Sequence, residues 1–398
     1  MNKVRSEENA LLIWNPQNAR TTYINGAELE ALADWANGKQ NGFSNRLETL
    51  GIICENDKKY ILEAIKNARF LKAPKNSFCA PESIHIELTA RCRLNCPQCY
   101  KSLSQQDLLW DFLKNIINQA DKMSIFQIAL GGGEPLLYPH LLEAINDITS
   151  RGMACSVTTS GYALDDDYLK ELINTGLNHI QVSLNGSTEK IHSFSRDGFK
   201  YAINALSLLQ KSSISYGINW VARMDNIDDF PALIDLAKHY KSQNINILRY
   251  KPSGRENFSK ITLTKEKLLL LEDIIRTTTN ISLKVDSAFS NLLCHINNRT
   301  GIFSGCGAGR RFFAIDAEGY LRPCSHVDMK EKTSNLNETW FHSENFNMFR
   351  VIESYIGEPC KNCIFISGCG SCRAVTHNNT HDFYAGDLNC CFYNKVSE

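Results

Sequence analysis

The chain has 398 residues, and its 43 Lys and Arg balance 43 Asp and Glu, so the formal net charge is zero. That balance gives no electrostatic ground for nucleic acid or an anionic membrane surface as a partner. No run reaches the roughly 18 apolar residues of a spanning helix. The start, Met1-Asn2-Lys3-Val4-Arg5-Ser6-Glu7-Glu8, lacks the apolar stretch of a secretory signal, so a cytoplasmic protein is expected. Fifteen cysteines in a reducing compartment point to metal ligands rather than disulfides.

Residues 1–75 read as a small α+β unit. A hairpin is expected over 10–24 around Asn15-Pro16-Gln17-Asn18, followed by helices over 26–37, 44–50 and 60–71. Leu29, Leu32 and Trp35 share one face of the first helix. From residue 80 strands and helices alternate. Strands are expected at 84–89, 127–132, 155–160, 179–185, 215–222 and 245–250. Helices are expected at roughly 104–121, 139–151, 165–175, 198–211, 228–242 and 264–276. Six β/α units in series predict an α/β domain with a parallel sheet and helices outside it. Cys155, on an apolar strand, reads as a small core residue.

The loop behind the first of these strands is Cys92-Arg93-Leu94-Asn95-Cys96-Pro97-Gln98-Cys99-Tyr100, with the spacing C-x3-C-x2-C. Thiolates are soft ligands suited to Fe–S clusters. Three of them on one loop can hold three corners of a [4Fe-4S] cubane and leave the fourth iron open to a small molecule. A zinc knuckle or a disulfide loop is the alternative. The arrangement resembles the radical S-adenosylmethionine (SAM) enzymes. In that family the open iron chelates the methionine part of SAM, and an electron from the cluster cleaves it to a 5′-deoxyadenosyl radical. The resemblance implies a partial (β/α)6 TIM-type barrel over residues 80–285, with the strands' C-terminal ends facing a common cavity.

Later motifs extend the likeness. Gly131-Gly132-Gly133-Glu134-Pro135 resembles the family's GGE motif, whose glycines let backbone approach a ligand closely. The likeness places Gly132, Gly133 and Glu134 at the amino group of SAM, with a plain strand-to-helix turn as the alternative. Thr158-Thr159-Ser160-Gly161 stands where the family has Thr-Asn-Gly, which puts Ser160 near a ribose hydroxyl. Ser183-Leu184-Asn185-Gly186 resembles Ser-Leu-Asp-Gly. Ser183 is expected to face SAM, while Asn185 lacks the charge a base would need. His192 and Arg196 match an H-x3-R segment, and Arg196 is the expected bidentate partner of the SAM carboxylate, a surface salt bridge being the alternative. Lys251-Pro252-Ser253-Gly254-Arg255 reads as an architectural turn.

Residues 286–398 carry a second cysteine pattern. Cys306, Gly319 and Cys324 follow C-x12-G-x4-C, and Cys360-x2-Cys363-x5-Cys369-x2-Cys372 is followed by Cys390. The segment 313–319 reads as a hairpin. With Ser334-Asn335-Leu336-Asn337-Glu338-Thr339-Trp340, this is similar to the Cys-rich SPASM extension of radical SAM enzymes, although the last short spacing there is x3. The likeness implies two auxiliary [4Fe-4S] clusters beside the SAM-binding one. Cys306, Cys324 and Cys372 would hold the first, with Cys294 as a candidate fourth ligand. Cys360, Cys363, Cys369 and Cys390 would hold the second, with Cys391 as an alternative to Cys390. A pair of zinc sites is the competing explanation.

Residues 1–75 resemble the winged-helix-like, PqqD-type recognition domains fused to radical SAM enzymes that modify ribosomal peptides. Such domains capture a leader peptide by strand addition, and a packing extension of the barrel is the alternative. The expected activity is maturation of a ribosomally synthesised precursor peptide. The deoxyadenosyl radical would abstract a hydrogen to form a thioether or a carbon–carbon or carbon–oxygen crosslink, with an electron donor such as flavodoxin or ferredoxin. Anaerobic sulfatase maturation, forming formylglycine, and a non-enzymatic Fe–S or zinc binding protein are the alternatives. No residue stands out as a general base.

Overall fold

The structure, a computed structural model, describes residues 3–15, 20–101, 104–252, 256, 258–297, 305–388 and 390. The N-terminal unit opens with strands β1 (Lys3–Glu7), β2 (Ala10–Asn15) and β3 (Arg20–Asn25), an antiparallel sheet in the order β1-β2-β3. Three helices follow, Gly26–Ala36, Gly42–Thr49 and Lys58–Ala68. The tip of the expected hairpin, Pro16 to Asn18, lies outside the described residues. Leu11, Ile13, Ile24, Leu32, Trp35, Ile61 and Ile65 form the unit's own core.

β1 was not expected, and its inward residues explain why. Arg5 and Glu7 are buried and paired at 2.7 Å. Arg5 also donates from Nη1 to the carbonyl of Pro81 (2.7 Å) and from Nη2 to that of Ala80 (2.8 Å). Leu12 and Trp14 of β2 share a cluster with Phe78, Phe126 and Ala154, and the Trp14 and Phe126 rings stack at 5.7 Å. The unit is thus fastened to the barrel by a second apolar core and a buried charge pair.

The barrel strands are β4 (Ser83–Thr89), β5 (Gln127–Gly132), β6 (Ala154–Thr159), β7 (His179–Ser183), β8 (Ser215–Ala222) and β9 (Asn244–Arg249). They agree with the expected spans to within a residue or two. β10 (Ser282–Val285) adds a parallel strand to β9. β11 (Phe312–Ile315), β12 (Tyr320–Arg322) and β13 (Glu331–Lys332) complete one ten-stranded sheet in the order β10-β9-β8-β7-β6-β5-β4-β11-β12-β13. β11 pairs in parallel with β4, Phe313 opposite Ile84, so the expected hairpin continues the barrel sheet beyond residue 285.

Alternation along the strands sets the two faces of this sheet. Ile84, Ile86, Ile128, Leu130, Val157, Ile180, Val182, Ile218, Trp220, Ile245 and Ile247 are buried in the main core. Several of the intervening residues are polar and pair across strands. Asn246 Nδ2 donates to Asn219 Oδ1 at 2.9 Å, and Gln181 Nε2 to Asn244 Oδ1 at 2.9 Å. Outer helices have apolar stripes and local caps. Asp165 accepts from the Tyr168 amide at 2.8 Å and starts Asp166–Asn174, a contact worth about 1 kcal/mol. The helix expected over 104–121 begins at Trp110, because the preceding segment runs beside β4 and forms the Thr89–Asp107 bridge. Among the described residues no helix is long and apolar enough to cross a membrane.

Candidate functional site

The triad loop leaves the C-terminal end of β4. The Thr89 hydroxyl donates to Asp107 Oδ1 (2.5 Å) and accepts from the Arg91 amide (3.0 Å), while Arg91 Nε donates to Asp107 (3.0 Å). These bonds set the base of the loop. Its far side rests on the segment around Arg196. The Gln98 amide donates to the Ser195 carbonyl (3.2 Å), the Asn95 amide to Asp197 (3.3 Å) and the Asp197 amide to Cys96 Sγ (3.4 Å). Cys92, Cys96 and Cys99 are free and partly exposed. Burial pushes the Cys92 thiol above its ordinary range.

The glycine run locks onto the same loop. The Gly133 amide donates to the Thr89 carbonyl (2.7 Å) and the Glu134 amide to that of Arg91 (2.8 Å). Gly132 has φ +126°, and a Cβ there would lie 2.5 Å from the Thr89 carbonyl oxygen, so glycine is required. Glu134 is fully buried. It accepts from Thr159 Oγ1 (2.6 Å), the Ser160 amide (2.9 Å) and Ser160 Oγ (2.5 Å). The Ser160 hydroxyl proton expected near a ribose is therefore given to Glu134. Burial raises the Glu134 carboxyl despite these donors. Glu134→Ala should strand four donors, the Leu136 amide (3.3 Å) included, and lower stability by about 3 kcal/mol, at 1–3 kcal/mol for each unmet buried group less relaxation. The urea midpoint is the measurement, and an unchanged midpoint would mean the clasp carries no energy.

Ser183 is buried at the end of β7. Asn185 is a structural knot. Its Nδ2 donates to Ser195 Oγ (2.7 Å) and Gln98 Oε1 (3.1 Å), and its Oδ1 accepts from the Val221 amide (3.0 Å). His192 accepts from the Asn185 amide through Nδ1 (3.2 Å), and burial lowers its pKa to about 4, so the ring is neutral. Arg196 Nε is buried and has no hydrogen-bond partner among the described residues. An orphaned guanidinium donor beside the triad fits an anionic ligand such as the SAM carboxylate.

Sequence reasoning missed a polar bridge at this loop. Glu87 of β4 accepts from Tyr100 Oη (2.8 Å) and forms an ion pair with Lys101. The Tyr100 ring packs on His326 at 4.1 Å, two residues after Cys324. Tyr100 is visible as the residue after Cys99, but nothing local links it to His326. Lys251 pairs with Asp286 at 3.1 Å, and both act electrostatically on His85 of β4. Ser253 to Arg255 of the expected turn lie outside the described residues.

The C-terminal cysteines gather in two groups. Cys360, Cys363, Cys369 and Cys390 line one cleft with Asn291, Ser371 and Asp387. Polar groups approach their sulfurs: the Asp387 amide donates to Cys360 Sγ at 3.3 Å, and Ser290 Oγ and Cys369 Sγ share a hydrogen bond at 3.2 Å. Cys306, Cys324 and Cys372 act on one another. Burial pushes the Cys306 thiol up to about 11 and the Cys324 thiol up to about 12. Cys294, expected beside the first group, is buried with its side chain hydrogen-bonded to Cys369 of the second. Cys391 is outside the described residues. Among the described residues no three Cys, His, Asp or Glu side chains converge to hold a single metal ion. A cluster has a different requirement, one thiolate for each of several irons, and sulfur donors in sets of three and four suit that chemistry.

Residues 86–237 match the Radical SAM superfamily model, and the chain carries a radical SAM domain. That family binds SAM and a [4Fe-4S] cluster. The chain is similar to the PqqA peptide cyclase of Gluconobacter oxydans, 27% identical over 308 residues covering 71% of this chain and 82% of that protein. It is also similar to the AdoMet-dependent heme synthase of Methanosarcina barkeri, 24% identical over 339 residues covering 79% of this chain and 97% of that protein. Among solved structures, Streptococcus suis SuiB bound to precursor peptide SuiA matches with a TM-score of 0.73 at 14% identity, covering 98% of this chain and 100% of that one. That likeness extends the shared fold over nearly the whole chain.

Proposed function

We propose that the chain is a radical SAM peptide maturase that crosslinks a ribosomally made precursor. SAM and the triad's cluster, when bound, supply the 5′-deoxyadenosyl radical. Gly132 and Gly133 bring backbone against the triad loop, Ser183 and Ser160 border the SAM site, and Arg196 takes the SAM carboxylate. Residues 1–75 dock the precursor, residues 80–285 form the radical domain, and residues 286–398 carry two auxiliary clusters. An electron donor of the flavodoxin or ferredoxin type reduces the enzyme.

The observation that carries the peptide reading is a groove of about 930 Å³ beside the edge strand β1. Val4 to Ser6, Tyr60, Glu63, Asn67, Phe70 and Leu71 line one side, and Lys122 to Ser124 and Phe341 line the other. Tyr60, Phe70 and Leu71 are exposed there. An open strand edge with apolar neighbours suits an extended peptide, which pairs by main chain and inserts alternate side chains. The likenesses to the PqqA peptide cyclase and to SuiB with its precursor support the same substrate class.

The heme synthase likeness favours a second reading, a heme-type small molecule, for which the groove has no use. Anaerobic incubation with SAM, reductant and the precursor encoded nearest the gene decides between them. The peptide reading expects loss of two hydrogens per crosslink by mass spectrometry. Product formation only with a heme precursor would overturn it. Metal content is a separate prediction. Reconstituted protein should hold about twelve irons, from three four-iron clusters. About four irons with zinc would make the C-terminal cysteines a zinc module.

A further inference from the structure

We infer that Arg373 is the counter-charge of the auxiliary clusters: the Nε–Nη2 edge of its guanidinium donates to sulfur where the two C-terminal cysteine groups meet, and raises the reduction potential there. This rests on the reading of those groups as cluster sites.

Arg373 opens the helix Arg373–Thr380 immediately after Cys372. The side chain is 1% exposed. Its Nη1 donates to the carbonyls of Phe383 and Ala385, both at 2.8 Å, and these two bonds fix the plane of the group. Nε and Nη2 are both buried and have no partner among the described residues. Those two N–H groups form the side-on fork with which guanidinium holds an anion bidentately. The nearby carboxylate of Asp387 is engaged by Arg249 at 2.7 Å. Cys372 precedes Arg373 in the chain, and Cys306, Cys324 and Cys360 pack against the same small buried cluster as Cys372 and Phe383, whose carbonyl holds Nη1.

Cys306 and Cys372 belong to one cysteine group and Cys360 to the other, so Arg373 addresses both. A buried cation with an empty fork is costly unless an anion completes it. Protonated thiols supply no such anion. Iron-bound thiolates and sulfides do, and they also accept hydrogen bonds from N–H groups. A fixed positive charge and donors at sulfur favour the more negative, reduced state, and hydrogen bonds to sulfur are an established control of cluster potential.

The test is EPR-monitored redox titration of the anaerobically reconstituted full chain and two variants. Arg373→Met keeps bulk but removes charge and fork, and Arg373→Lys keeps charge and removes the fork. In the Met variant the reduction equilibrium of an auxiliary couple should fall about tenfold or more, ~59 mV for one electron, with the couple at Cys92, Cys96 and Cys99 unmoved. The Lys variant should shift less and show altered g-values. If the Met variant sheds about eight irons and the Lys variant keeps them, loss of charge compensation gives the same assignment. Unmoved potentials and unchanged signals in both variants, at full iron content, would overturn the inference. Wild-type protein with only about four irons would instead sink the auxiliary-cluster reading, and this inference with it.

Discussion

Replacing Cys92, Cys96 and Cys99 together by Ala is expected to abolish deoxyadenosine formation with reductant and to remove about four of about twelve irons. The loop itself should survive. Its base is held by Thr89, Arg91 and Asp107, and its far side by the Gln98 amide on Ser195, none of which needs a thiol. The substitution removes the contacts of Cys96 Sγ with the Asp197 amide, of Cys92 with the Leu94 backbone and of Cys99 Sγ with the Lys101 carbonyl, all of them local to the loop or its rim. The far-UV circular dichroism spectrum and the remaining iron should therefore match wild type. Cys54→Ala is the control, since that thiol is exposed on the N-terminal unit, and it should change neither iron nor activity. Deoxyadenosine at the wild-type rate in the triple variant would remove the triad from the reaction.

The second large effect is expected at the N-terminal groove, and the structure dictates how to look for it. Deleting residues 1–75 would uncover Phe78, Phe126 and Ala154 and release the carbonyls that Arg5 holds. At 1.5–3 kcal/mol for each large apolar side chain, about 5 kcal/mol would be lost, a large part of a typical folding margin. A truncation would lose its fold before it reported on recognition. Tyr60→Glu with Leu71→Glu changes only exposed groove residues. This double variant should keep its melting temperature and its substrate-free SAM cleavage. Modification of the full precursor should fall at least tenfold, chiefly through KM, because docking otherwise supplies the core peptide at an effective concentration of about millimolar. A wild-type KM would mean that the groove does not hold the precursor.

The six barrel strands are legible because their buried residues recur at period two beside helices of period 3.6. β1 escapes the same reading because its buried positions are Arg5 and Glu7, a charge pair that breaks the apolar pattern. β10 is four half-exposed residues at the sheet's edge and offers little contrast. The cysteine motifs are local, so their spacing is visible, yet which thiols meet is a property of the folded chain. Cys294 shows the difference: its sequence distance to Cys306 suggests one group, and helix packing delivers it to Cys369. The Tyr100–His326 contact and the orphaned edges of Arg196 and Arg373 are likewise tertiary facts.

The parallel ladder between β4 and β11 also sets an order of assembly. Ile84 stands at the start of the barrel and Phe313 well past its end, yet they are partners in register. During synthesis β4 must wait, with one edge open, until nearly the whole radical domain and the start of the C-terminal region have left the ribosome. Closing so long a loop is entropically costly and slow, and an open apolar edge invites aggregation in the interval. Iron delivered early would meet Cys92, Cys96 and Cys99 on a half-built sheet. Expression at low temperature, with a slow supply of iron and sulfide, should therefore raise the yield of soluble, fully loaded protein more than additional iron does.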